Sequence, residues 1–348
     1  MSTFIDWINV LQNHLEGEPL KPVCGGYLTR ENKEYQHEWT VGTFDRHEGS
    51  FDTSVSLRAF GNTVEVRGNP GRLCRPDNLF NHSFEQTIDI INRRVLAPHG
   101  LPMYSAAPAR WIEADKRSQL GASSRLYPGA TVSMLHVTRN YATGGRKEGM
   151  EFMNYLGTQS LSNVKRSRAG ATTINWGKKG GRKMVKAYLK ADEMKAHVKS
   201  KLWTSEHERV YQFCNDVGLV RLEIELGRKL LEENGLRGLG EITMGKLIKL
   251  FDEKVEGPLL HPQQYEDGYP LDRLSRKVRL AFVAWEKGVD LLGDNFCSRA
   301  TLYRYATEVR EVLGVSIMEK RDFRTLPARY KVIKPVALEV PDWYAMAA

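Results

Sequence analysis

Lys183-Met-Val-Lys-Ala-Tyr-Leu-Lys190 is the stretch on which the reading of this chain turns. Side chains alternate faces along a strand, so Val185, Ala187 and Leu189 share an apolar face that packs into a core. Met184, Lys186, Tyr188 and Lys190 share the other face, which reads as open. A tyrosine between two lysines there is well placed to meet a phosphodiester. Its phenol ordinarily ionises near pH ~10, and neighbouring ammonium groups favour the phenolate that would attack phosphorus. From pattern alone the plainer description, a half-buried tyrosine on an edge strand, has the stronger claim.

The surroundings of this strand are basic. Between Phe152 and Ala191 there is no Asp or Glu, but there are Lys165, Arg166, Arg168, Lys178, Lys179, Arg182, Lys183, Lys186 and Lys190. These nine cations equal the net charge of +9, so the rest of the chain is balanced. A solvated face normally mixes signs, whereas such a window suits a polyanion, bound with steep salt dependence.

A second strand, Val220-Arg-Leu-Glu-Ile-Glu-Leu226, turns Val220, Leu222, Ile224 and Leu226 inward and sets Arg221, Glu223 and Glu225 on one face. Carboxylates at i and i+2 repel unless a cation offsets them. A hard divalent ion such as Mg²⁺ or Mn²⁺ would do so and bridge to phosphate oxygens; a surface strand whose acids pair with nearby cations fits the pattern equally well. His136, in Ser133-Met-Leu-His-Val-Thr138, sits in an otherwise apolar strand, where a lone histidine is more often a satisfied core residue than a ligand. No pair of histidines flanks a single apolar residue, and no GxxxxGK[ST] loop occurs, so an ATP-driven helicase finds no support.

Elsewhere the pattern mixes strands and helices. Ser50 to Arg58 and Thr63 to Gly68 alternate and are joined by Gly61-Asn62, a hairpin signal. Ser83 with Gln86 opens a helix whose stripe is Phe84, Ile88, Ile91 and Val95. Further strands are expected at 130–138, 172–176 and 183–190, with helices at 147–156 and from a Ser205…Glu208 capping box. The whole reads as an α+β fold with a mixed or antiparallel sheet, domain 1–235 (a β-rich half 1–110, then 111–235), and a mostly helical domain 236–348. Its helices are expected at 243–254, 273–287 and 299–313. The last, capped by Ser298 with an inner stripe of Leu302, Tyr305, Val309 and Leu313, exposes Arg299, Thr301 and Arg304, as in a helix-turn-helix entering the major groove.

Mean hydropathy is −0.46, and no apolar run approaches the ~20 residues of a membrane span. Cys24, Cys74, Cys214 and Cys297 lie far apart, as free thiols do in a reducing compartment. With no secretory leader read at the N-terminus, the expectation is a soluble cytoplasmic protein with no membrane partner.

Taken in order, Phe4-Ile-Asp-Trp7, Gly49-Ser-Phe-Asp-Thr-Ser54, Gly68-Asn-Pro70, Thr138-Arg-Asn140, Ala187-Tyr-Leu-Lys190, Asp216-Val-Gly-Leu-Val-Arg-Leu-Glu223, Ala284-Trp285 and Pro341-Asp-Trp-Tyr344 resemble the gene II/X family of filamentous-phage replication initiators, in particular its RstA-like members. The resemblance implies a nuclease-type sheet domain in the host bacterial cytoplasm that binds the double-stranded origin. It implies nicking of the plus strand through a 5′-phosphotyrosine link and rejoining of the displaced strand. Single-stranded phage DNA, a host helicase and a host polymerase are the implied partners. It points to Tyr188 as nucleophile with Lys186 and Lys190 beside it, to an ion held by Glu223 and Glu225, and to Arg221 and the basic window on DNA. Where relatives carry an Arg-Ile-Asp strand this chain has Met134-Leu135-His136, so His136 stands where an aspartate ligand is expected; imidazole suits Mn²⁺ better than Mg²⁺. Asp192 or Glu193 is the alternative source of that ligand. The rival expectation is a non-catalytic phage DNA-binding protein, a repressor or packaging factor.

Overall fold

The computed structural model describes residues 2–14, 18–112, 124–168, 170–260, 271–319 and 335–344. The first strand, Thr3–Asn13 (β1), lies near the middle of the main sheet. Tyr27–Glu31 (β2) and His37–Gly42 (β3) form a separate exposed hairpin. Asp45–Glu48 (β4), Ser54–Phe60 (β5) and Thr63–Gly68 (β6) continue the main sheet. The β5–β6 turn is the expected Gly61-Asn62, with Gly61 at φ +58° closing the Phe60–Thr63 pair.

Ser83 caps Phe84–Ile90 (α1) with the expected capping box to Gln86; Thr87 is buried on the helix and Ile88 only partly. After the short strands Arg110–Ile112 (β7) and Ser124–Leu126 (β8) come Thr131–Ala142 (β9) and Arg146–Leu156 (α2). Arg166–Arg168 (β10), Thr173–Gly177 (β11) and Lys183–Leu189 (β12) carry the basic window, and Lys190–His197 (α3) follows directly. Ser205–Asp216 (α4) is capped by Thr204 with His207, one residue before the expected Ser205…Glu208 box. Val220–Gly227 (β13) leads into Arg228–Glu233 (α5).

The main sheet runs in the order β10-β11-β12-β13-β9-β1-β6-β5-β4, and Val336–Ala337 (β14) pairs with the end of β9. Every pairing is antiparallel. One face carries Ile8, Leu57, Val66, Leu135, Val137, Val185, Ala187, Leu222 and Ile224, all at 1% exposure or less. It packs on Ile91 and Val95, on Phe152 and Met153 of α2, and on Leu231 of α5. Each such aliphatic side chain taken fully out of water contributes roughly 1.5–3 kcal/mol.

The same core continues past the expected boundary at 235–240. It takes in Leu247, Leu250 and Phe251 of Met244–Phe251 (α6), then Val255 and Leu259, the latter on Gly257–Leu260 (α7). A separate apolar cluster joins Arg276–Glu286 (α8) to Arg299–Leu313 (α9) through Phe282, Trp285, Leu302, Val309 and Leu313. Ala306, rather than the expected Tyr305, is the buried residue in the middle of α9. The connection from Lys287 to Ser298 is much longer than the ~3–4-residue turn of a helix-turn-helix.

The opposite face of the main sheet carries its own packing where α3 and α4 lie. There Phe4, Leu79, Phe80, Met194 of α3, Val210 and Cys214 of α4, and Tyr344 form a small third cluster.

Candidate active site

Register places the site. Lys186 on β12 pairs with Glu223 on β13, Tyr188 with Arg221, and Glu225 with His136 on β9. Directly paired residues in an antiparallel sheet point to the same face, so Lys186, Tyr188, Arg221, Glu223, Glu225 and His136 all lie opposite the main core. The two motifs read separately in the sequence are therefore neighbours, and His136 joins them.

His136 stands between the two carboxylates. Its Nδ1 is 2.7 Å from Glu223 Oε1 and its Nε2 is 3.4 Å from Glu225 Oε2. Burial alone would push the imidazole pKa down, but hydrogen bonds and charge from Glu223 and Glu225 outweigh it and lift the value to about 9. Burial likewise opposes ionisation of Glu223, and the His136 hydrogen bond overrides it, bringing that carboxyl to about 2. Lys186 Nζ adds a partly exposed cation 3.8 Å from Glu223 Oε1. Glu225 Oε1 accepts from the Gly180 backbone N–H at 2.7 Å, so the β11–β12 turn folds down onto this carboxylate.

Among the described residues, no group of three or more His, Cys, Asp or Glu side chains is arranged as a ready metal site. As the side chains stand, the His136 ring occupies the space between the acids. The His136 Nε2–Glu225 Oε2 contact, at 3.4 Å, is the looser of the two, and neither atom has any other partner. A divalent cation would satisfy both, with oxygen and imidazole donors of the kind such ions accept. The donor set therefore fits an ion once the imidazole gives up its proton. Asp192 and Glu193 do not contribute: Asp192 pairs with Arg146 and Glu193 with Lys190.

Tyr188 corrects the sequence reading. It is not on an open face but 7% exposed. Burial pushes its phenol well above the ordinary value, and the adjacent Arg221 opposes this without reversing it. Alternation along β12 does not reveal the charged groups around it, among them Arg221, Glu223, Glu193 and Asp6. Asn78, on the loop before α1, donates to Asp6 on β1 at 2.9 Å and accepts from Lys190 Nζ at 2.7 Å, tying β1 to the start of α3. Lys190 is accordingly buried at 2% exposure and ion-paired to Glu193, not open to solvent. It also lines a cavity of about 420 Å³, together with Asn78, Glu193, Lys199, Lys201 and Trp203.

Arg221, expected on DNA, holds the Asn78 loop in place and is fully buried as the side chains stand. Its Nε donates to Asn140 Oδ1 at 2.8 Å, and its Nη2 to the carbonyls of Asn78 at 2.8 Å and Leu79 at 2.6 Å. Tyr344 adds a second tie: its hydroxyl donates to Asp77 at 2.6 Å and accepts from Arg75. Asp6 and Asn140 fall within the resembling segments but receive no role from the sequence, and Asn78 is not marked there, because short polar side chains carry no periodic signal.

The sequence profile of the Phage CRI family, described as the N-terminal part of the replication-associated gene II protein, matches residues 5–245. The chain belongs to this family. It is similar to the replication-associated gene II protein of Escherichia phage If1, with 30% identity over 217 residues, covering 58% of this chain and 66% of that protein, just under two thirds of its length. A solved structure of a rolling circle replication initiator protein from Geobacillus stearothermophilus aligns over 81% of this chain and 95% of its own, with 13% identity and a TM-score of 0.34.

Within this gene II-family chain the remaining expected DNA contacts differ in environment. Lys165, Lys178 and Lys179 are exposed, the last two on the turn that caps Glu225. Others are engaged: Arg182 with Glu233, Lys183 Nζ with the Ser162 carbonyl at 3.3 Å, and Arg166 with Gln159 and Glu319. The Arg168 side chain lies outside what the structure describes. On α9, Arg299 and Arg304 are exposed, whereas Thr301 is half-buried and bonded to the Ser298 cap.

Proposed function

We propose that this protein is a phage rolling-circle replication initiator that nicks one strand of its origin, with Tyr188 as nucleophile and the Glu223–Glu225–His136 group beside it. One observation carries the reading. Adjacent strands of a gene II-family chain bring a tyrosine, a lysine, two carboxylates and an imidazole onto one sheet face. Lys186 supplies positive charge for the phosphate where charge develops. Glu223, Glu225 and His136 would hold Mg²⁺ or Mn²⁺, whose contribution is to neutralise a phosphate oxygen. Origin duplex and single-stranded phage DNA are the partners, with host helicase and polymerase acting on the nicked product in the bacterial cytoplasm; joining of the displaced strand reverses the same chemistry.

The burial of Tyr188 adds a condition: the Asn78 loop must move before a phosphate can reach the phenol. Taken as fixed, that cover favours the second reading, a repressor or packaging factor that binds DNA without cutting it. Tyr188→Phe decides between them. Supercoiled origin plasmid incubated with Mg²⁺ or Mn²⁺ should yield relaxed circles and a protein–DNA adduct with the wild type and neither with the variant. An adduct that persists in the variant refutes the nucleophile. Wild-type binding without relaxation in either ion refutes the nickase.

A further inference from the structure

The flank of the Glu223–Glu225–His136 group that faces away from Tyr188 holds an aromatic ring with no structural employment. Trp7 on β1 pairs directly with His136 on β9, and the ring centroids lie 6.2 Å apart at a tilt of 35°. The register slips between Ile5 and Trp7, and this bulge at Asp6 leaves Trp7 on the functional face. Trp7 is 39% exposed and belongs to none of the three apolar clusters, either as a buried member or packed against one. It is nonetheless fixed in direction, because its Nε1 donates to Asn9 Oδ1 at 2.7 Å. An indole held in one direction with a face open to solvent is ready to receive another flat ring.

The opposite flank is cationic. Lys178 and Lys179 are exposed on the turn whose Gly180 N–H binds Glu225, and neither forms an ion pair among the described residues. Lys186 lies beside the acids, its Nζ 3.8 Å from Glu223 Oε1. Read across the strands, the face therefore presents ammonium groups, then a buried acidic centre, then an indole. A folded duplex offers no base face to an indole at a sheet surface. An unpaired strand offers phosphate to the lysines and a base plane to the ring.

We propose that Trp7 is the stacking platform for one base of an unpaired DNA strand, seating that strand with its phosphate at the Glu223–Glu225–His136 group. This rests on the reading of that group as the nicking centre. Trp7 is a positioning residue: it touches the nucleotide and takes no part in bond breaking. Base–aromatic stacking is worth about 1–3 kcal/mol per base, which corresponds to roughly 5- to 150-fold in Kd.

The test compares wild type, Trp7→Ala and Trp7→Phe on two probes, a homothymidine oligonucleotide and an abasic deoxyribose-phosphate oligomer of the same length. Trp7→Ala should weaken homothymidine binding by roughly 5- to 150-fold and leave abasic binding within twofold. Trp7→Phe should recover most of the loss, since any aromatic ring can stack. Equal losses on both probes, or none on either, overturn the assignment of Trp7 while leaving the strand-binding centre intact. Failure of the wild type to bind either probe overturns the nicking-centre reading itself.

Discussion

Replacing Arg221 with methionine separates a structural clamp from a DNA contact. The methionine fills much of the aliphatic stem but loses the hydrogen bonds to Asn140 Oδ1, the Asn78 carbonyl and the Leu79 carbonyl. Hydrogen bonds from a charged donor contribute about 1.5–3 kcal/mol each, but three sharing one side chain do not add. The variant also recovers the cost of keeping a guanidinium out of water, and two of the freed acceptors belong to a loop that reaches solvent by moving. A net loss of about 3–5 kcal/mol is expected, one to two such hydrogen bonds after that compensation. Against a total of about 5–15 kcal/mol that is a large fraction. Equilibrium urea unfolding reads it as a fall in midpoint of roughly 2 M at an m-value of about 2 kcal/mol/M. Measured under conditions where the variant is still folded, affinity for a homothymidine oligonucleotide should stay within twofold. The reasoning is refuted if stability falls by less than about 1 kcal/mol while affinity drops tenfold.

Two further outcomes follow from the site. Titrating Mn²⁺ into the wild type should raise its thermal midpoint, with about 2.7 kcal/mol gained at 100 times Kd, and Glu225→Gln should remove most of that gain; no shift with either Mn²⁺ or Mg²⁺ would mean that His136 alone neutralises the acids. Asn78→Ala should cost about 1–3 kcal/mol and make Tyr188 reactive toward a phenol-nitrating reagent, mapped by peptide mass spectrometry. Tyr188 nitrated to the same extent in wild type and variant would show that Asn78 does not cover it.

Local pattern foretold the strands and their faces, because a period of two fixes which side chains point together. That is why Lys186, Glu223 and Glu225 were found on the right side, and why Gly61-Asn62 and Ser83…Gln86 fell where the structure has them. What lies over a face is a long-range property. Arg221 is bonded to the carbonyls of Asn78 and Leu79, and that loop is tied in turn to Tyr344 through Asp77, partners more than a hundred residues away on either side, and nothing in β13 records that. His136 shows the converse. It looked like a core histidine because its own strand is apolar, and only the β9–β13 register exposes its two acidic partners. The first strand escaped notice because shifts at Ile5/Trp7 and Asn9/Val10 break its alternation. The α4 cap moved by one residue because His207, rather than Glu208, closes the box with Thr204.

The two ends of the functional face are solvated in opposite ways, and the difference follows from which cation each acceptor set received. At the Glu223–Glu225 end the partner is an imidazole, which can surrender its proton, so an ion can replace it without leaving a charge unpaired. At the Tyr188 end the partners are Arg221 and Lys190, cations held by backbone carbonyls, amides and Glu193. Neither is displaced by an incoming ion, and a guanidinium does not deprotonate. The acidic end is therefore open to exchange of its counter-charge, while the tyrosine end opens only through movement of the loop that supplies the acceptors. On the proposed reading, a phosphate bound at the first end reaches the phenol at the second only after the Asn78 loop moves, and the hydrogen bonds of Asn78 to Asp6 and Lys190, with those of Arg221 to the Asn78 and Leu79 carbonyls, oppose that movement.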